Sequence, residues 1–296
     1  MTTFSDLIDE TILSVQGYTQ RQDQATYLTA AMTASDTTFT VADGTVLSRG
    51  LVEVGDELIW VDSFDRNSGV AQVAPLGRGY RGTSKTSHAI GQRVVVAPSF
   101  PRAVIKNMVN NSISGVYPDL FGVAQFATPF IAARTTYQLP ADAVDVLAIS
   151  WQSVGPTKEW LPVRKWRIDK NADPTTFYSG HTVSIYDFVV PGRNMNIVYS
   201  KIPTQLDLPS DDYTDTGLPQ GSKEVIVLGA AYRVAAYLDS GRLTAWSAET
   251  DVLDNQSPIG SGGTVTRNLF SLYQQRLQNE VRRQQQQFPV RVHYTR

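Results

Sequence analysis

Stretches with helical spacing stand at the start, middle and end of this chain, separated by two long blocks of strand texture. That order constrains the fold more than any other feature. Phe4, Leu7, Ile8, Ile12 and Val15 fall on one helical face, with Ser5 as a cap, Asp6 in the first turn and Gly17 as a stop. Pro101 opens a second helix behind Ser99; Val104, Ile105, Met108, Val109, Ile113 and Val116 form its stripe, and Tyr117-Pro118 ends it. Val225 to Leu238 is apolar nearly all round, and Gly229-Ala230-Ala231 permits close backbone approach, which predicts a buried helix. Val265, Leu269, Leu272, Leu277 and Val281 mark a long polar helix that dissolves into Gln284-Gln285-Gln286-Gln287.

Between these helices the period changes to two. From Tyr27 to Ala97, short runs such as Thr38–Val41, Leu51–Val54, Glu57–Val61, Val70–Val73 and Arg93–Val96 are split by Asp43-Gly44, Gly55-Asp56 and Asn67-Ser68-Gly69, predicting a small β-barrel or sandwich. From Gln125 to Pro203, further short strands predict a second, sandwich-like β unit. A helix isolated in sequence must bury its stripe on something, and the other helices are the obvious partners. The expected fold class is therefore α+β: a helical bundle core of N-terminal, middle and two C-terminal helices, with two inserted all-β modules and an extended C-terminal arm. The boundaries are an N-terminal bundle helix at 1–26, a small β module at 27–98, a bundle helix at 99–122, a second β module at 123–206, C-terminal bundle helices at 207–287 and the arm at 288–296.

At 296 residues, with 42% hydrophobic and 10% aromatic content, the chain has material for two or three cores. A net charge of −2 gives no bulk reason to bind nucleic acid. Cysteine is absent, which removes disulfides, thiolate metal sites and cysteine nucleophiles. The N-terminus lacks a signal-peptide pattern and no apolar run is long enough to span a bilayer, so a soluble, unexported protein with no membrane partner is expected.

Catalytic patterns are weak. Gly77-Arg78-Gly79-Tyr80-Arg81-Gly82 matches the dinucleotide fingerprint, but a polar loop and a strand follow it instead of a helix; Gly77, Gly79, Gly82 and Gly91 therefore read as structural turn residues. His88, His181 and His293 lie in separate segments without metal spacing, and read as surface or hydrogen-bonded turn histidines. Asp211, Asp212 and Asp215 lack calcium-hand spacing and read as solvated linker. Trp151, Trp160, Trp166, Tyr178 and Tyr186 could form a sugar platform or an interface, but the alternation of their neighbours favours sandwich core. The expectation is no enzyme, no cofactor and no metal. A glycan hydrolase would need two converging carboxylates that no spacing identifies.

Two features point to partners. Phe288, Val290, Val292 and Tyr294 alternate with Pro289, Arg291 and His293, a strand pattern suited to pairing with another chain's sheet, with pairing inside its own fold as the alternative. Arg267, Arg276, Arg282 and Arg283 on the last helix could contact DNA or a partner's carboxylates, against the plainer reading of a solvated face.

Thr37–Val41, Gly55–Ile59, Arg78-Gly79-Tyr80-Arg81-Gly82-Thr83 and His88-Ala89-Ile90-Gly91-Gln92-Arg93-Val94 together resemble a β module common in bacteriophage tail and neck proteins. Thr136–Pro140, Pro191-Gly192-Arg193, Val198-Tyr199 and the Gly229-Ala230-Ala231 helix resemble head-to-tail adaptor (connector) proteins of tailed phages. That resemblance implies a structural virion protein at the neck, assembled in the host cytoplasm. It implies a homo-oligomeric ring, usually a dodecamer, bound to the portal protein through the arm and to a tail-side neck or tail-terminator protein, lining a channel through which genomic DNA passes non-specifically. The alternative is a tail, fibre or baseplate protein that binds the host surface.

Overall fold

The structure, a computed structural model, describes residues 2–16, 23–155, 158–246 and 261–289. Its elements in order are α1 (Phe4–Gln16), β1 (Gln24–Tyr27), β2 (Thr38–Thr40), β3 (Gly50–Val54), β4 (Glu57–Asp65), β5 (Val70–Val73), β6 (Arg93–Val96), α2 (Arg102–Gly115) and β7 (Gly122–Pro129). They continue with β8 (Thr136–Gln138), β9 (Ala143–Gln152), β10 (Trp160–Pro162), β11 (Trp166–Asp169), β12 (Thr182–Ile185), β13 (Asn194–Lys201), α3 (Lys223–Trp246) and α4 (Ser261–Gln287).

The expected helical-bundle core with β insertions is not what forms. Helix and strand each take about 30% of the chain, and the strands build three antiparallel sheets. The reason lies in the strand blocks themselves. Each period-two segment buries its own apolar face, so the sheets enclose cores of their own and need no bundle to support them. The chain divides into two units: residues 1–4, 112–226 and 271–296 in one, residues 5–111 and 227–270 in the other.

The latter unit holds a six-stranded sheet in the order β1-β6-β3-β4-β5-β2. Its two ends meet just beyond the outer strands, where Leu28 bridges Val41 and the Ala42 N–H donates to the Tyr27 carbonyl at 2.9 Å. The sheet therefore closes into a small barrel, which removes its edges. Val52, Val54, Ile59, Val61, Ala71 and Val94 fill the interior. Gly55, with φ +61°, makes the two-residue β3–β4 turn.

In the other unit, a four-stranded sheet (β10-β9-β13-β7) and a three-stranded sheet (β11-β12-β8) share one core. Ile149 and Ile197 enter it from the first sheet, Val183 and Ile185 from the second, as in a sandwich. The stripes read from sequence are buried on their helices: Phe4, Leu7, Ile8 and Val15 on α1, and Ile105, Val109 and Ile113 on α2. On α3, Val225, Ile226, Ala230, Ala231 and Val234 are buried.

The end of α4 differs from its polar appearance in sequence. The helix runs through the glutamine tract, and Gln284 is buried. Its amide closes both polar groups of the Phe121 backbone: Nε2 donates to the carbonyl at 2.7 Å and Oε1 accepts the N–H at 3.2 Å.

Truncating Ile59 to Ala should open a cavity in the closed barrel and destabilise it by about 2–5 kcal/mol, read from urea unfolding.

Candidate functional site

The densest polar site is inside the barrel. Glu57 opens β4 with its side chain buried, and the long β5–β6 connection arches over it to bring Arg78 and His88, also buried. Arg78 Nε and Nη2 form a bidentate pair with the carboxylate at 2.7 and 3.0 Å. The Gly79 and Thr86 N–H groups donate to it at 3.0 and 3.1 Å, and His88 Nε2 lies 2.8 Å from Oε2. A carboxylate only accepts, so the His88 nitrogen is the donor. Arg78 is equally complete: Nη1 donates to the Thr33 and Asp36 carbonyls at 2.7 and 2.9 Å, and Nη2 to Thr86 O at 2.8 Å. All five guanidinium N–H groups are thus used.

Burial alone would raise the Glu57 pKa. Hydrogen bonds from Arg78, Thr86, His88 and Gly79 outweigh it and bring the value down to about 2. An arrangement so fully satisfied offers no open position to a substrate or metal. It is a lock that holds the 33–36 and 78–88 loops against the barrel. The glycines serve the same turn. Gly79 sits at φ +63°, and a Cβ there would lie 2.7 Å from Thr83 O; a Cβ at Gly77 would lie 2.6 Å from Trp60 O. Gly82 and Gly91, at φ +83° and +80°, turn the chain on either side of His88.

A second polar knot joins the barrel to its flanking helices. Buried Glu53 on β3 accepts the Arg102 N–H at 2.5 Å and so caps α2 from another element. Ser99, the cap expected from sequence, donates its N–H and hydroxyl to Asp23 instead. The Arg102 guanidinium reaches Asp9 and Ser5 of α1 and Asp56 of the β3–β4 turn. Burial is the main force on Glu53. The Arg102 N–H and charge pull its pKa down, Asp56 and Asp23 push it up, and the result is about 7.

The remaining sequence candidates are dispersed. Arg267 and Arg282 are exposed on α4; Arg276 pairs with Glu224 at 3.2 Å and Arg283 with Glu280 at 2.7 Å. The Phe288 ring lies 6.5 Å from that of Phe121, and its N–H donates to Gln284 O at 2.8 Å. Val290, Val292, Tyr294 and His293 lie outside the described residues. His181 borders a shallow depression with Asp142 and Lys170. Asp212 and Asp215 form a capping box on the turn at Tyr213–Thr216, a structural use beyond solvated linker. Trp151 and Trp166 pack on the sandwich core, but Trp160, Tyr178 and Tyr186 are 49%, 80% and 63% exposed, so the core reading fails for those three. Among the described residues, no His/Asp/Glu cluster could hold a metal, and no helix is long and apolar enough to cross a membrane.

A closed barrel with a satisfied polar lock and a two-sheet sandwich carrying exposed aromatics leave their outer surfaces for contacts with other proteins. The chain belongs to the SU10 adaptor protein family, whose family model matches residues 89–292. It is accordingly a bacteriophage adaptor-type structural protein of the virion. The matched stretch runs from β6 through α4; Glu57, Arg78 and His88 precede it. Among curated proteins no match is found.

Removing the Arg78 side chain strands a buried carboxylate, so Arg78→Ala should cost about 3–5 kcal/mol in urea unfolding. The folded pKa of Glu57 is depressed from 4.5 to about 2, so its stabilisation is complete above pH 4.5 and is lost as pH falls through about 2. For Glu53 the sign reverses. Its folded pKa is raised from 4.5 to about 7, so stability falls as pH rises between those values. Glu53→Gln should match the parent below pH 4.5 and exceed it above pH 7 by roughly 3 kcal/mol, measured as unfolding free energy across pH.

Proposed function

We propose that this chain forms a ring that connects the portal of the phage head to the tail and lines the channel for DNA. The observation that carries the reading is the family match, which covers more than half of the chain, from β6 to α4. The partners in this reading are further copies of the chain, twelve by family habit, the portal protein on one side and a neck or tail-terminator protein on the other. DNA passes without sequence recognition, and the net charge of −2 agrees with a channel that does not hold phosphate. Segments 27–98 and 123–206 act as β modules presented to these partners. Arg267 and Arg282, exposed on α4, remain free to meet a partner or the passing duplex, whereas Arg276 and Arg283 already have carboxylates within reach.

Portal docking falls to the end of the chain. Phe288 is anchored beside Phe121, so the arm proper starts after Pro289 and carries Val290, Val292 and Tyr294 as alternating side chains for strand addition. Truncation after Pro289 keeps the Phe288 contact and removes the arm. Incubated with purified portal, the full chain should give a cyclic complex in electron micrographs, and the truncated chain should bind at least about tenfold more weakly. Undiminished binding would remove the arm from this reading, and failure of the full chain to form any cyclic complex would remove the ring.

A further inference from the structure

The second β module has unlike surfaces at the two ends of one strand. In β9, Ala143 pairs with Lys201 of β13, while Gln152 pairs with Trp160 of β10. Nine steps of extended chain between Ala143 and Gln152 set these ends about 30 Å apart. Both belong to the same unit.

The Trp160 end is aromatic and basic. Asp187 shapes its main loop: the carboxylate accepts the Arg164 N–H at 2.9 Å and the Phe188 N–H at 3.0 Å, and the Tyr186 N–H donates to Lys165 O at 2.9 Å. Those bonds fix the loop, yet Phe188 stands 80% exposed, Tyr186 lies beside it, and Trp160 and Leu161 are exposed nearby. Each leaves apolar surface uncovered, and exposed aromatic side chains are enriched at interaction sites on soluble proteins. Rigid aromatic anchors lose little entropy when covered. Arg164 and Lys165 are exposed beside them, with Lys158 and Arg167 further along the chain. The opposing carboxylates are Glu159, Asp187 and, on the same strand as Arg167, Asp169; Asp187 is occupied by its own loop and Asp169 accepts the Asn171 N–H.

The Lys201 end is apolar and acidic. Ile202 and Leu208 are exposed, and the Asp211 carboxylate holds the backbone of Leu208 at 2.8 Å. Asp207 lies in that turn, its N–H donating to Asp211, and Asp212 and Asp215 cap the turn that follows. The cations here are Lys201, whose ammonium donates to Thr204 Oγ1 at 3.0 Å, Lys170, which lies with Asp142 and Ile202 at the nearby depression, and the N-terminal charge, which acts on Asp212; residues 2–4 pair along residues 211–213.

Surfaces of opposite sign at two ends of a strand cannot meet within one chain. They can meet between chains, head to tail, and a heterologous contact of that kind closes into a ring when its rotation allows. We infer that the basic aromatic end of one copy docks on the acidic end of a second copy of this chain. The inference rests on the ring reading above and names the face that builds the ring. Aromatic anchors supply the core of the contact and the charges supply its register and salt sensitivity.

The test uses the full chain in sedimentation velocity and electron microscopy, with circular dichroism to confirm folding. The wild type should form closed oligomers that weaken as ionic strength rises. Arg164→Glu with Lys165→Glu reverses one end; Asp207→Lys with Leu208→Lys reverses the other. Each double variant alone should sediment as the 32.6 kDa monomer, with self-association weakened by at least about tenfold. Mixed together, the two should assemble again, because each reversed end then meets a matching one. Rings that persist in both double variants, or variants that stay apart when mixed, overturn the proposed face and leave the ring itself standing. A wild type that is monomeric at every concentration, alone and with portal, overturns both.

Discussion

Glu57 is a carboxylate placed where water does not reach, and the irregular side of the barrel is organised by what that placement demands. An ionised group in such a position survives only if donors converge on it. Five do: two from Arg78, two backbone N–H groups and His88. Arg78 in turn has no spare donor, so its remaining N–H groups draw in the Thr33, Asp36 and Thr86 carbonyls. A loop rich in glycine, serine and threonine, which could otherwise adopt many conformations, is thereby held to one. The pair specifies a conformation more than it adds net stability, since desolvation offsets much of its attraction.

The Arg102 knot applies the same logic less completely. One guanidinium serves Asp9, Ser5 and Asp56, while its backbone N–H is capped by Glu53. Here carboxylates outnumber cations, and burial leaves Glu53 with a pKa of about 7. Two buried glutamates four positions apart therefore respond to pH in opposite senses. The cause is donor count: Glu57 has five donors and Glu53 has the Arg102 N–H. Neither arrangement leaves room for a bound substrate. With the Glu57 carboxylate fully satisfied, the open surface is the outside, where a protein that joins other proteins must do its work.

The elements themselves were largely legible. The stripes of α1 and α2 and the all-round apolarity around Ala230 gave helices at those places, and the Gly55-Asp56 turn gave a hairpin. The organisation of those elements was misread. Helices isolated in sequence were expected to define a core, whereas the strand blocks enclose cores of their own. Gln284 looked like the start of a dissolving tail because nothing in a glutamine run announces that one amide will close a distant backbone. Trp160, Tyr178 and Tyr186 looked like core because composition does not show which face of a short edge strand or loop is covered.

Local order, then, was determined by the sequence itself: where the period changes from 3.6 to two, where glycines turn the chain, and which stripes are apolar, because these follow from backbone geometry within a few residues. The pairing of Glu57 with Arg78 and His88, the capping of α2 by Glu53, and the opposed surfaces at the two ends of β9 were decided only in the folded chain. The first two join residues far apart in sequence, 21 positions for Glu57–Arg78 and 49 for Glu53–Arg102. Such contacts depend on sheet register and loop path, which no local pattern encodes.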